Sequence, residues 1–259
     1  LHAAARPLGR PDVHEVEPER PAAKVLRRNA DVITLREPDS LEELKSMGVE
    51  GPEIKLTADP ALTLSPSAAE KTDSVLLRAG VPPQGERFIC FALRPWPGFQ
   101  EKAPVFGAAA RYAWKQYGLT PVFTAVEKGQ DPAAAREAAR FLEDAPHYFL
   151  DDAGAAGTII GALSRMEIVV SMRLHALIFA AGQGIPLAGV VYDPKVSAFL
   201  RYIGQENFTD LETLTEETLR RLIDRAAARA GDKQAQAEAV RKLREMERGN
   251  VEIAKRLLG

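Results

Sequence analysis

Five consecutive residues, Ser171-Met172-Arg173-Leu174-His175, place a guanidinium and an imidazole where an apolar run (167–171) gives way to a helical pattern (174–183). An arginine offers a planar fork that binds a carboxylate or phosphate in bidentate fashion. A histidine exchanges protons near neutral pH. Leu174, Leu177, Ile178 and Ala181 stand at i, i+3, i+4 and i+7 and form the core stripe of the helix, with His175 flanking it. Residues two apart do not share a helix face, so Arg173 and His175 converge only if Arg173 sits in the turn before regular helix begins. The free N–H groups and positive dipole end of that helix then add to an anion site. The same dipole favours a neutral, proton-accepting imidazole, whereas a bound phosphate opposes it.

A turn of this kind needs a sheet to hold it. Apolar runs recur at 88–93, 121–126, 147–150, 167–171 and 186–192, with helical patterns at 104–117, 132–143, 153–165, 174–183 and 194–203 between and after them. Nearly continuous apolar strands alternating with helices predict an α/β, Rossmann-type doubly wound parallel sheet. Ligands of such sheets bind outside the carboxyl ends of the strands. That edge collects Arg94, Arg173, His175 and Lys195 in a chain whose net charge is −2. Structural alternatives stand beside three of these loops: a salt bridge for Arg94, a helix N-cap for Asp193, and caps for Asp151 and Asp152. His2, His14 and His147 read as structural.

The remaining signals bound the possibilities. Cys90, the one cysteine, lies in an apolar run and reads as a buried strand residue with no disulfide to make. No His/Cys/carboxylate spacing indicates a metal site, and no Walker A, G-x-G-x-x-G or G-x-S-x-G pattern follows a strand. The near-neutral charge argues against nucleic-acid binding through bulk charge. No apolar run approaches ~20 residues and 1–10 lacks the apolar region of a signal peptide, so the expected location is cytoplasmic.

Ahead of the regular alternation, residues 1–21 are unpatterned, carry four prolines and do not begin with methionine, as a loop or a cut into a longer protein would. A helix over 22–29, a strand over 31–35, a helix over 41–47 capped by Ser40 with Glu43 and ended by Gly48, and a strand over 53–57 make a small αβ portion. The proline-rich stretch 65–86 is the expected domain boundary. Gly118, Gly182 and Gly204 are expected to close helices. Residues 215–259 read as a solvated helix pair, with Glu238 and Lys242 at i,i+4; a partner or membrane surface is the alternative.

Several segments in order resemble the polysaccharide pyruvyl transferase family, in its bacterial cell-wall, CsaB-type branch. They are Ser171-Met172-Arg173-Leu174-His175-Ala176, Gly184-Ile185-Pro186 and Tyr192-Asp193-Pro194-Lys195-Val196, preceded by Ala30-Asp31-Val32-Ile33-Thr34-Leu35-Arg36 with Ser40-Leu41, Thr57-Ala58-Asp59-Pro60-Ala61 and Leu93-Arg94-Pro95-Trp96. The resemblance implies a GT-B-like fold with two Rossmann-like domains. Here 1–65 would be the remnant of an incomplete N-terminal α/β domain on the acceptor side, 66–230 the C-terminal domain with the phosphoenolpyruvate site, and 231–259 a helix crossing back toward the first. The family opens with a glycine-rich loop not found here, so roughly a hundred residues of the first domain are expected to be missing, at ~30 per βα unit.

The implied reaction moves the pyruvyl group of phosphoenolpyruvate onto a sugar as a cyclic ketal. In the cell-wall branch the acceptor is N-acetylmannosamine on a lipid-linked precursor of a secondary cell-wall polymer that anchors surface-layer proteins, which allows peripheral membrane contact. The expected site has His175 as catalytic base, with Arg94, Arg173, Leu174 and Lys195 binding phosphoenolpyruvate and no further cofactor or metal. Two readings compete: a GT-B glycosyltransferase or sugar epimerase using a nucleotide-sugar, and a non-catalytic anion-binding domain. No motif bears on oligomeric state.

Overall fold

The computed structural model describes residues 30–49, 52–82 and 84–258. The helix expected over 22–29, and His2 and His14, lie outside them. Strands β1 (Val32–Leu35) and β2 (Glu53–Leu56) pair in parallel, with Val32 opposite Glu53, and are joined through helix α1 (Pro38–Ser46). That helix starts earlier than expected, because Pro38 lacks an N–H and its fixed φ suits the first helical position. Ser40 is therefore inside the first turn and not its cap; its hydroxyl donates to Glu37 Oε1 at 2.6 Å.

The second sheet holds β3 (Arg87–Ala92), β4 (Leu119–Thr124), β5 (Tyr148–Leu150), β6 (Ile168–Ser171), β7 (Leu187–Val191) and β8 (Phe208–Asp210). They are parallel throughout, in the order β5-β4-β3-β6-β7-β8. Helices α2 (Ala69–Arg78), α3 (Phe99–Tyr117), α4 (Asp131–Ala139), α5 (Ala156–Leu163), α6 (Leu174–Gly182), α7 (Pro194–Tyr202), α8 (Glu216–Ala230) and α9 (Lys233–Leu258) accompany the strands. Strand order reverses between β3 and β6, where Ala92 faces Ser171. Chains leaving those two strands diverge to opposite sides, and this opens a crevice at their carboxyl ends.

Strand β3 shows why the domain is doubly wound. Phe88, Cys90 and Ala92 belong to the core shared with α2, α5, α6 and α7, while Ile89, Phe91 and Leu93 enter the core shared with α3, α4 and α8. Alternate side chains leave a strand on opposite faces, and with both faces covered each large one contributes about 1.5–3 kcal/mol. Burial pushes the Cys90 thiol up to about 12, against a weaker opposing hydrogen bond with Thr124, so it is packing material, as expected.

Differences from the sequence reading have local causes. Helix α3 begins at Phe99, ahead of Pro104, which it carries inside. Its partner α4 approaches closely: a Cβ on Gly107 would lie 2.5 Å from the Ala138 carbonyl oxygen and 2.6 Å from Phe141 Cβ. Gly107→Ala should therefore destabilise the protein by about 1–3 kcal/mol through overpacking, read as a lower denaturant midpoint with an unchanged slope.

Gly182 does not close α6 by a left-handed turn. It is the last helical residue, where a Cβ would collide with the Leu62 carbonyl, and Gly184 supplies the positive φ of 73°. The stretch 65–86 contains α2, whose Thr72, Val75 and Leu76 are buried. Strand β8 has three residues, too few to register as a periodic signal. Glu238 pairs with Arg241 at 2.7 Å instead of Lys242.

Helix α9 reaches back to the β1–β2 portion. Asn250 Oδ1 accepts the Thr57 hydroxyl at 2.8 Å, Asn250 Nδ2 donates to the Ala58 carbonyl at 2.8 Å, and Arg256 pairs with Glu53. Among the described residues no helix is long and apolar enough to cross a membrane.

Candidate active site

The turn after β6 is built by Ser171. Its hydroxyl, fully buried, accepts the Arg173 N–H at 2.8 Å and faces the Arg173 carbonyl at 3.0 Å and that of Ala92 at 3.3 Å. This fixes Arg173 in extended geometry (φ −81°, ψ 118°) as the N-cap of α6. Arg173 thus precedes regular helix, as convergence with His175 requires. No side chain caps α6, so its leading N–H groups stay available for an anion. His175 is exposed beside Phe179, their ring centroids 6.0 Å apart. Leu174 is buried in the core; its side chain cannot meet a ligand, and only its backbone N–H remains for that purpose.

Arg173 is buried and already holds charge from within the protein. Its Nε lies 2.8 and 2.9 Å from the two Asp131 oxygens, its Nη2 also bonds Asp131 Oδ1, and Nη2 reaches Glu127 Oε2 at 2.9 Å. Burial alone would ease the proton off; the hydrogen bonds and attraction of Asp131, then of Glu127, outweigh it and hold Arg173 above an ordinary arginine. Asp131 Oδ2 also accepts the N–H groups of Val126 and Glu127, both at 2.9 Å. Sequence reasoning missed Asp131 and Glu127. Asp131 precedes Pro132 at a helix start, a position where an acid is favoured on local grounds alone.

Arg94, two residues past the end of β3, has no carboxylate partner among the described residues. Its Nη1 donates to the Tyr192 hydroxyl at 3.1 Å, and its Cζ lies 5.4 Å from the ring centroids of both Trp96 and Tyr192. Its Nε is buried with no hydrogen-bond acceptor, a costly state for a guanidinium N–H. Lys195 lies in the first turn of α7, with Nζ 2.9 Å from Asp193 Oδ2 and 5.9 Å from the Tyr192 ring.

Asp193 is the α7 N-cap, accepting the Lys195 N–H at 3.0 Å. Burial pushes its carboxyl up, but the hydrogen bonds and charge of Lys195 more than reverse this and leave it below the usual carboxylate range. A depressed folded-state pKa contributes stability above the unfolded value, lost as pH falls through the folded one. Asp193→Ala should cost about 1 kcal/mol at neutral pH and progressively less in acid, measured by urea unfolding across pH.

Elsewhere on this edge Asp151 takes a bidentate Arg136, and Asp152 Oδ1 accepts the Gly154 N–H at 2.9 Å. His147 Nδ1 lies 3.1 Å from the Ala145 carbonyl, away from the crevice residues. Among the described residues no three His, Cys, Asp or Glu side chains gather as a metal-ligand set.

Parallel strands that reverse order between β3 and β6, with Arg94, Arg173 and His175 following those two strands, fit a GT-B-like α/β fold. Solved structures agree on that fold. A glycosyltransferase from Rickettsia africae superimposes with a TM-score of 0.56 at 16% identity, covering 91% of this chain and 66% of its own. A UDP-forming alpha,alpha-trehalose-phosphate synthase from Burkholderia vietnamiensis gives 0.54 at 11% identity, covering 92% and 64%. A UDP-GlcNAc 2-epimerase from Methanocaldococcus jannaschii gives 0.50 at 10%, covering 76% and 54%. The chain therefore spans about two thirds or less of these relatives. No curated protein gives a significant sequence match. The family profile described as polysaccharide pyruvyl transferase matches residues 11–194, and the chain belongs to that family.

Proposed function

We propose that the crevice binds phosphoenolpyruvate and transfers its pyruvyl group to two hydroxyls of a saccharide as a cyclic ketal. The observation that carries this reading is Arg94, a half-buried arginine whose buried Nε is unpartnered at the strand-order switch of a pyruvyl transferase family member. Phosphoenolpyruvate carries a phosphate and a carboxylate, so it needs more than one cationic contact. Arg94 takes one anionic group, and the uncapped end of α6 with the Leu174 N–H takes the other. Arg173 is fixed by Asp131 on its Nε–Nη2 edge and offers Nη1. Lys195 faces the departing phosphate.

Atoms balance with His175 as proton carrier. The enol carbon gains a proton and becomes a methyl group, one hydroxyl adds to the adjacent carbon, the carbon–phosphate oxygen bond breaks, and the second hydroxyl closes the ketal. Of the two hydroxyl protons, one replaces that spent on the methyl and one leaves with phosphate. Each transfer calls for a base titrating near neutrality. The resemblance to the cell-wall branch supports N-acetylmannosamine on a lipid-linked polymer precursor as the acceptor, processed at the cytoplasmic face of a membrane by peripheral contact.

Calorimetric titration of phosphoenolpyruvate tests the reading. Binding should weaken about tenfold or more in Arg94→Ala, the cost of one charge-assisted hydrogen bond. An intact protein that binds uridine diphosphate and not phosphoenolpyruvate overturns it in favour of nucleotide-sugar chemistry.

A further inference from the structure

Next to Arg94 lies a cavity of about 560 Å³, bounded by the start of α3, the start of α7 and the segment after β8. Its volume is that of a small-molecule site. We propose that it is the subsite for the saccharide acceptor, and that it takes a neutral, hydroxyl-rich ring. The inference rests on the pyruvyl-transfer reading for the identity of the second substrate as a saccharide.

Three observations select this occupant. Trp96 forms one wall and is 39% exposed, large for a tryptophan on a protein edge, with Tyr192 packed against it at 4.6 Å between centroids. A broad aromatic face suits the apolar C–H face of a sugar ring. The rim is acidic: Glu101, Asp210 and Glu212 line the cavity beside Asp193, which Lys195 neutralises, and the lining cation Lys102 has its Nζ tied to the Leu214 carbonyl at 3.1 Å. Glu101, Asp210 and Glu212 make no side-chain hydrogen bond or ion pair among the described residues, so their oxygens are free to accept hydroxyl protons.

That charge balance also excludes alternatives. A phosphate or nucleoside diphosphate entering here meets like charge on several sides, whereas an uncharged sugar gains acceptors at no such cost. Location supplies the third argument. Trp96 and Tyr192, which wall the cavity, also lie against the Arg94 guanidinium. An occupant therefore adjoins the residue proposed to hold phosphoenolpyruvate, as attack by its hydroxyls requires. Acceptor recognition is thereby placed on the same sheet as the donor site.

Saturation-transfer NMR on the intact protein, with N-acetylmannosamine and N-acetylglucosamine as probes, tests this. Saturable transfer is expected for at least one sugar, undisturbed by uridine diphosphate, with affinity about tenfold lower in Trp96→Leu and in Asp210→Asn. Asp210 lies outside the proposed donor contacts, so Asp210→Asn should bind phosphoenolpyruvate within twofold of the unmodified protein by calorimetry. Sugar affinity unchanged in both variants overturns the subsite, as does displacement of the sugar by uridine diphosphate. So does the absence of sugar binding to protein that takes up phosphoenolpyruvate. Failure to bind phosphoenolpyruvate while the sugar results hold counts instead against the donor reading.

Discussion

His175→Ala should lower turnover by about 10²–10⁴-fold, the usual contribution of a general acid–base group, and leave stability within about 0.5 kcal/mol. The two halves of this expectation come from the same geometry. His175 is exposed in the first turn of α6 and makes no hydrogen bond to another described residue. Its removal opens no cavity and orphans no buried partner, so the melting transition has no reason to move. The measurement is phosphate release from phosphoenolpyruvate with a saccharide acceptor, alongside a thermal melt. Phosphoenolpyruvate affinity should be nearly retained, because the cationic contacts are elsewhere, so the loss should fall on kcat and not on binding. Near-normal turnover in this variant would remove His175 from the mechanism.

Asp131→Ala should destabilise the protein by about 3–5 kcal/mol, the cost of breaking a buried ion pair from one side. Asp131 is 1% exposed and Arg173 8%, so water cannot replace the lost carboxylate without opening the structure. The Val126 and Glu127 N–H groups lose their acceptor at the same time. Urea unfolding gives the number directly, and a loss under about 1 kcal/mol would mean that the pair behaves as a surface salt bridge. Glu127→Gln is the control. That carboxylate is 48% exposed, so its removal should cost at most about 1 kcal/mol. Asp131→Ala should also weaken phosphoenolpyruvate binding, because it releases the guanidinium that the loops after β4 and β6 jointly hold.

Much of this architecture is written locally. The alternation of apolar runs with helical patterns carries the doubly wound sheet, since strands buried on both faces must be apolar at nearly every position. Phe88 through Leu93 are read this way and divide between two cores as the alternation requires. The strand-to-helix turn at Arg173 was legible for the same reason: the stripe of Leu174, Leu177, Ile178 and Ala181 fixes where helix begins. Collecting Arg94, Arg173, His175 and Lys195 on one edge needed only the direction of parallel strands.

Side-chain partners were not legible, because they join loops far apart in sequence. Asp131 and Arg173 are 42 residues apart and meet only when β4 and β6 take their places on either side of β3. Arg94 and Tyr192 are 98 apart. Ser171 looked like the last residue of a strand, and only the folded turn shows its hydroxyl fastening Arg173. Gly182 and Gly107 carry no local mark that separates a turn glycine from one that admits a neighbouring backbone.

The sequence by itself determined the sheet, the edge on which the cations gather and the kinship to pyruvyl transferases, because periodicity and short motifs are properties of neighbouring residues. Tertiary structure decided how the cations are divided. Arg173 is engaged by Asp131, Arg94 retains an unsatisfied donor, and an acidic, aromatic cavity stands beside it. The physical reason is that the partner of a buried charge is set by which loops the topology brings within hydrogen-bonding distance, and that distance is not encoded in any single segment.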